Sequence, residues 1–350
     1  MKEENFYERE LTLDEFALIV GGHTAFQLLW AGVQFNVFSL LSKQPQLLEE
    51  EIAEEIGLQP QPAKILLNGL TALKLIKKNK TKKSYKNAPL VEKLLTPQSP
   101  GNLVDVLGWK YHIVYPAEID LVESLKKNKN IGLRHFPGKG NTLYERLASH
   151  PELEEIFHKA MSSITGSVNK ILAQKLDLTH FKHLLDMGGG DGSNAIELAK
   201  ANPHLKVTIF DNLTVCKQAE IKIAEAGLSQ QIDVLPGDFF NDEFPGDVDC
   251  ILFAHILTIW SADKNIKLLK RTYAALQKGG MTCILNVMSS DDGIGPVSAA
   301  LGSPYFQTIA TGEGMIYPKK EFKRFLKAAG YKKIRKIELP INHCLITGIK

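Results

Sequence analysis

The stretch LLDMGGGDGS, residues 184–193, decides the fold. An apolar run ends in a glycine-rich turn, and helix-forming residues resume at Ser193, giving the order strand, turn, helix. Glycine lets the backbone turn sharply and come close to a ligand, and a helix start offers N–H groups with no partner in the helix. A nucleotide-like ligand therefore fits here, beside Asp186, Gly188 and Gly190.

Downstream of this turn, short β-rich runs alternate with amphipathic helices. The pattern predicts strands at 183–187, 206–210, 232–235, 248–253 and 281–287, with helices near 192–202, 213–227, 263–278 and 319–330. Such alternation builds a parallel sheet covered on both faces. The tail reads differently: 333–339 and 343–349, joined through Pro340, form an antiparallel hairpin added at the sheet edge.

Upstream the chain is helical. Leu47, Ile52, Ile56, Ile65, Leu66, Leu70 and Leu73 recur at helical spacing around a break at 57–62, and the polar run KKNKTKKSYKN (77–87) joins two short candidate strands. This outlines a winged helix. Its basic turn invites phosphate contact, but EEEIAEE (49–55) sets five acidic residues on the first helix of the unit, where they repel a nucleic-acid backbone. Between 102 and 178 the pattern is again helical, with Phe157, Met161, Ile164, Val168 and Ile171 on one face. The expected class is α/β: a Rossmann-like, doubly wound, mostly parallel sheet with a C-terminal antiparallel hairpin, preceded by an all-helical, winged-helix domain. The expected segments are 1–100, 101–180 and 181–350.

Composition agrees with ordinary globular domains, at 350 residues, 44% apolar, 23% charged and net charge +3. Residues 16–42 carry no charge and are long enough to cross a bilayer, yet His23, Thr24, Gln27, Gln34, Asn36 and three glycines interrupt them. A helix pair packed on a partner subunit fits this composition better than a membrane span. The amino terminus lacks the order of a secretory signal, and the four cysteines form no paired motif, so a reduced, cytoplasmic protein is expected. No metal site is expected.

Asp211 follows the second strand, where an acid meets the two ribose hydroxyls of a bound adenosine. Two details favour S-adenosylmethionine over NAD. Ser193 stands where a third glycine would be, and Asp186 and Asp191 crowd the turn, opposing a pyrophosphate while tolerating a sulfonium and an ammonium. Gly237-Asp238-Phe239-Phe240 then offers an acid for the adenine amino group and a ring to stack on it.

With these motifs, and with LYERLASHPELEEIFHKAM (143–161), FDN (210–212) and HILTIWSADKNIKLLK (from 255), the chain resembles the O-methyltransferases of the plant caffeate and bacterial natural-product type over nearly its whole length. The resemblance implies cofactor contacts from Gly188 and its neighbours, Asp211, Asn212, Asp238 and Phe239, to which Asp186, Gly190 and Phe253 are added here. It also implies a winged helix that serves dimerisation and binds no DNA. The departures carry as much information. Where the family has His-Asp-Trp with a histidine base, this chain has Thr258-Ile259-Trp260; two acids that hold the histidine are replaced by Asn286 and Ile316, and a lysine by Ala254.

His255 and Thr258 are the remaining candidates near the reacting atoms. Trp109, His112, Phe157, Met161, Trp260, Met288 and Tyr305 are the expected lining, suited to a planar small molecule. The expected activity is methyl transfer from S-adenosylmethionine to a small aromatic acceptor, leaving S-adenosylhomocysteine. The family implies oxygen as the acceptor atom, and loss of the base admits carbon or nitrogen. Two other readings fit the same residues: a non-methylating enzyme of the fold, such as a decarboxylase, hydroxylase or pericyclase, and a winged-helix DNA-binding regulator.

Overall fold

A computed structural model describes residues 10–96, 99, 102–166 and 168–350. The chain divides after Gly108 into two compact units, and the helices from Trp109 onward group with the sheet.

In the first unit, helices Leu13–Val20, Gly22–Gln34, Val37–Lys43, Glu49–Glu55 and Pro60–Ala72 precede a hairpin of β1 (Ile76–Lys78) and β2 (Tyr85–Asn87). Phe38, Leu41, Ile52, Leu67, Leu70, Ile76 and Tyr85 make its core. The acidic helix and the basic wing neutralise each other in part: Glu49 accepts from the Tyr85 hydroxyl at 2.9 Å and pairs with Lys78 at 3.5 Å. The apolar run from Phe16 is broken by a 73° bend between the first two helices, and no single helix among the described residues is long and apolar enough to cross a membrane.

The second unit is built on seven strands. They are β3 (His183–Met187), β4 (Lys206–Asp211), β5 (Ile232–Pro236), β6 (Cys250–Ala254), β7 (Met281–Val287), β8 (Lys332–Glu338) and β9 (His343–Ile349), in the order β5-β4-β3-β6-β7-β9-β8. β3 to β7 pair in parallel, and β9 runs antiparallel to both its neighbours, β7 and β8. β3 and β6 are buried along their whole length because helices cover both faces, and alternate residues feed two cores. Leu184, Leu252 and Cys283 join helices Asn169–Lys175, Ser193–Ala201 and Leu213–Glu225 on one side; Leu185, Phe253 and Ile284 join helices Ala262–Ala275 and Lys319–Ala329 on the other.

Among the strand boundaries, one departs from the sequence expectation by two residues. The fourth strand of the predicted set starts at Cys250, two residues late, because the Asp249 carboxylate accepts from the backbone N–H groups of Lys182 and His183 at 2.9 and 3.0 Å. The terminal hairpin lies at the sheet edge as expected, joined through β9 beside β7 with β8 outside. Burial explains this order, since HCLITGI is apolar enough to be covered while KKIRKIE carries lysines suited to an exposed edge.

Candidate active site

The strand order reverses direction between β3 and β6, which opens a crevice at the carboxyl ends of these strands. The glycine turn lies there. Gly188 has φ +68°, and a side-chain carbon on it would collide with Ile256 of the β6 loop; Gly190 has φ +60° with open space where a Cβ would stand. The first is glycine for packing and backbone conformation, the second for its positive φ, with open space beside it.

Asp211 ties this turn to its neighbours. Its Oδ2 accepts from Gly190 N–H at 3.0 Å and its Oδ1 from Asn212 N–H at 2.7 Å, while its carbonyl accepts from Gly237 N–H at 2.9 Å. Gly188 N–H in turn donates to the Phe210 carbonyl at 2.8 Å. Burial raises the Asp211 carboxyl, opposed by the two backbone donors. Asn212 caps helix Leu213–Glu225, its side chain accepting from Val215 N–H at 3.1 Å, so that side chain is committed to the fold. Asp238 is exposed and holds its own turn through Phe240 N–H at 2.8 Å and Asn241 at 2.6 Å. Beside it Phe239 and Phe240 meet Trp260 edge-on, at 6.4 and 5.0 Å.

Asp186 is fully buried and neither carboxyl oxygen has a partner. Burial, then Asp211 and then Asp191, pushes its carboxyl up to about 7. An orphaned acid in an acid-flanked hollow suits a cationic ligand, so these residues fit a sulfonium-bearing adenosine. Asp191 has the opposite environment: burial raises it, but Lys222, Ser162 and Ser193 together hold it below the usual carboxylate range. Because Ser162 belongs to helix Pro151–Gly166, this contact ties the helix of Phe157 and Met161 to the glycine turn.

The loop after β6 carries the departures from the family pattern. His255 has φ +62°, its N–H donates to the Leu285 carbonyl at 2.8 Å, and its ring meets His343 edge-on at 5.1 Å. Burial first, and His343 second, push its imidazole down to about 3, so at neutral pH it is uncharged and a weak proton acceptor. Its Nε2 is buried without a partner. Thr258 is buried and donates to Asn286 Oδ1 at 3.3 Å, leaving Asn286 Nδ2 buried and unpartnered. The loop backbone is fixed by Asn265 Nδ2 on the Leu257 carbonyl at 2.7 Å, Thr311 Oγ1 on the Ile259 carbonyl at 2.5 Å and the Tyr317 hydroxyl on the Trp260 carbonyl at 2.8 Å.

The expected lining is only partly assembled. Trp109 and Tyr305 are buried and meet at 4.9 Å, each next to a π-helical turn, Lys110–Val114 and Phe306–Ala310, the kind of irregularity that recurs at functional sites. Phe157 packs on Tyr144 at 5.8 Å, and Met161 is half-buried on the same helix. Two expected ligand residues are core instead: Phe253 and Met288 are buried in the cluster with Leu257, Tyr317 and Phe322, so the Phe253 ring presents no face to a ligand. His112 stands exposed against Tyr111. Sequence reading passed over Tyr144, Ser162 and Lys222, whose partners lie on other elements. A cleft of about 570 Å³ bounded by His183, Lys206, Asp233 and Asp247 sits at the opposite ends of the strands and contains none of these groups. Among the described residues no cluster of His, Cys, Asp and Glu is placed to hold a metal.

Residues 119–332 match an O-methyltransferase domain and residues 18–97 an O-methyltransferase dimerisation domain. The chain is 40% identical to L-tyrosine C(3)-methyltransferase of Streptomyces lavendulae, over 92% of this chain and 87% of that protein. Among solved structures it is similar to the S-adenosylmethionine-dependent methyltransferase SibL in its apo form, at 35% identity and TM-score 0.83, covering 97% and 99% of the two chains. It shares the fold of human N-acetylserotonin methyltransferase, solved with S-adenosylmethionine, at 24% identity and TM-score 0.83 over 98% and 99% of the chains. A family model matching most of the sheet unit, and a relative this similar along nearly its whole length, place the crevice in a known context: the chain belongs to the S-adenosylmethionine-dependent O-methyltransferase family.

Proposed function

We propose that this methyltransferase alkylates a ring carbon of a phenolic acceptor of the tyrosine class. One observation carries the reading: where the family places a histidine base held by acids, this chain has the neutral pair Thr258 and Asn286, and the nearby His255 is held uncharged. O-alkylation needs a base beside the oxygen that meets the methyl; ring alkylation keeps that oxygen away from the methyl, forms the C–CH3 bond as the S–CH3 bond breaks, and then loses the ring proton to water as aromaticity is restored. The name of the Streptomyces relative, a tyrosine C(3)-methyltransferase, supports this choice. Trp109, Tyr305, Phe157, Met161 and Trp260 are the residues proposed to grip the ring. The test is transfer of a deuterated methyl group to L-tyrosine, followed by proton NMR of the product. Loss of one aromatic proton signal is expected; an aryl methyl ether with all ring protons intact would sink the proposal.

The cofactor is assigned to Gly188 and Gly190 at the turn, Asp211 on the ribose, Asp238 and Phe239 on the adenine, and Asp186 beneath the cationic end. When bound, S-adenosylmethionine supplies an electrophilic methyl group for in-line displacement. Asp186 makes its capture pH-dependent. Below about pH 7 the buried carboxyl is protonated and must release that proton to face a cation; above it the carboxylate is already formed. Affinity is therefore expected to fall by up to about tenfold per pH unit below 7 and to level off above it. Calorimetry across pH 5.5 to 8.5 checks this, and Asp186→Asn should flatten the profile; a slope that survives the substitution would place the proton elsewhere.

The dimerisation domain supports a homodimer, and the exposed Leu13, Phe16, Ile19 and Val20 of the first helix are apolar surface for a second copy to cover. A small-molecule acceptor, no nucleic-acid partner and a cytoplasmic setting complete the reading. The Glu49 contacts to the wing support the second of these, and the four free, buried cysteines support the third.

A further inference from the structure

We propose that Asn286, held by Thr258, binds the acceptor's oxygen as a phenolate, so that the site selects the anion and never has to deprotonate a phenol. This rests on the phenolic reading above and names how that acceptor is recognised. The geometry begins with the amide. The Thr258 hydroxyl donates to Asn286 Oδ1, which turns Nδ2 away from Thr258, and there the nitrogen is buried with no acceptor. A buried N–H group without a partner is costly and uncommon in folded proteins, and a ligand oxygen is the ready way to satisfy it.

The groups around the amide bear on which form of that oxygen is held. Elsewhere in the proposed lining, Trp109 Nε1 and Trp260 Nε1 are also buried without partners, whereas the Tyr305 hydroxyl interacts with Tyr144. Burial raises Tyr305 well above its ordinary range and pushes Tyr317 and Tyr144 up to about 12, so all three hydroxyls keep their protons. His255 and His343, which face the loop from β6 and β9, are both shifted downward by burial and stay neutral. The charged groups on the helix side, Lys264 and Glu313, are spent on each other at 2.5 Å. A buried N–H donor with no acceptor of its own, flanked by neutral imidazoles, stabilises an oxyanion over a hydroxyl. The phenol's proton passes to bulk water, the electron pair stays on oxygen against the amide N–H, and no protein group changes charge.

The test uses the full-length protein saturated with S-adenosylhomocysteine and 4-nitrophenol as probe, because its phenolate is coloured and its neutral form is not. Titrating the bound probe should show an apparent pKa about one unit below that of the free phenol, a tenfold shift toward the anion of the size one charge-assisted hydrogen bond gives. Asn286→Leu should abolish that shift. Thr258→Val, which keeps the side-chain volume but frees the amide to rotate, should lose part of it. A bound pKa equal to or above the free value would mean the amide carbonyl faces the acceptor and overturns the proposal, as would an undiminished shift in Asn286→Leu. Ring-methylated tyrosine formed by a protein that leaves the probe unshifted would remove this inference alone; failure to bind any phenol would remove the acceptor reading beneath it.

Discussion

Asp211→Ala is expected to abolish S-adenosylmethionine binding, and no other single substitution at the crevice should cost as much. The carboxylate ends β4 with Oδ2 on Gly190 N–H and Oδ1 on Asn212 N–H, and Oδ1 also accepts from Asn212 Nδ2 at 3.2 Å, a long bond that a ribose hydroxyl would displace while another takes the second lone pair of Oδ2. Two ribose hydroxyls donating to those lone pairs would make charge-assisted bonds worth about 1.5–3 kcal/mol each. Losing both weakens binding by roughly a hundredfold to ten-thousandfold. The alanine also releases Gly190, whose positive φ leaves the turn few other anchors. Calorimetry with S-adenosylmethionine and S-adenosylhomocysteine measures the loss directly, and a thermal melt separates it from unfolding. Asp211→Asn, which keeps one acceptor oxygen, should fall between the two. Retained micromolar affinity in the folded alanine variant would show that the ribose is held elsewhere.

The glycine turn and Asp211, to which the cofactor is assigned, were legible in the sequence as structure because they are local. Strand, glycine turn and helix follow one another within a few residues, and the acid at 211 stands at a fixed distance along the chain, so periodicity and turn chemistry suffice to place them. Both β3 and β7 fall where alternation puts them. The acceptor half is assembled from distant segments, and there the sequence is silent about direction. Phe253, expected beside the cofactor, and Met288, expected in the lining, fit those places by residue type, yet the alternation of β6 sends the first into the core and the second packs in the same cluster as Tyr317. Tyr144 and Ser162 look unremarkable until helix Pro151–Gly166 brings Ser162 onto Asp191 and Phe157 onto Tyr144. Asn286 could be recognised as a departure from the family, but only the coordinates show that its oxygen is occupied and its nitrogen is not. The order of the last two strands is not written in local pattern for a related reason: a hairpin can join a sheet by either strand, and total burial chooses β9.

Gly314→Ala should lower turnover by about a hundredfold while leaving cofactor affinity largely intact. A methyl group on Gly314 would overlap the Thr258 carbonyl oxygen and stand 2.5 Å from that of Ile259. Backbone oxygens cannot rotate aside as a side chain does, and these are further restrained: Thr311 Oγ1 bonds the Ile259 carbonyl at 2.5 Å and the Tyr317 hydroxyl bonds the Trp260 carbonyl at 2.8 Å. Relief therefore has to come from displacing the Thr258 segment as a unit, and with it the hydroxyl that orients Asn286. A shift of about 1 Å at reacting groups costs on the order of a hundredfold in rate. Gly302→Ala is the matched control, because its new methyl would meet the far end of Ile316, Cδ1 at 2.6 Å, which a rotamer change can relieve. Steady-state kinetics on both variants, with calorimetry for the cofactor, compares the two. Equal turnover in Gly314→Ala and Gly302→Ala would mean that the position of the Thr258 loop does not govern the reaction, and the acceptor oxygen would then have to be held by groups other than Thr258 and Asn286.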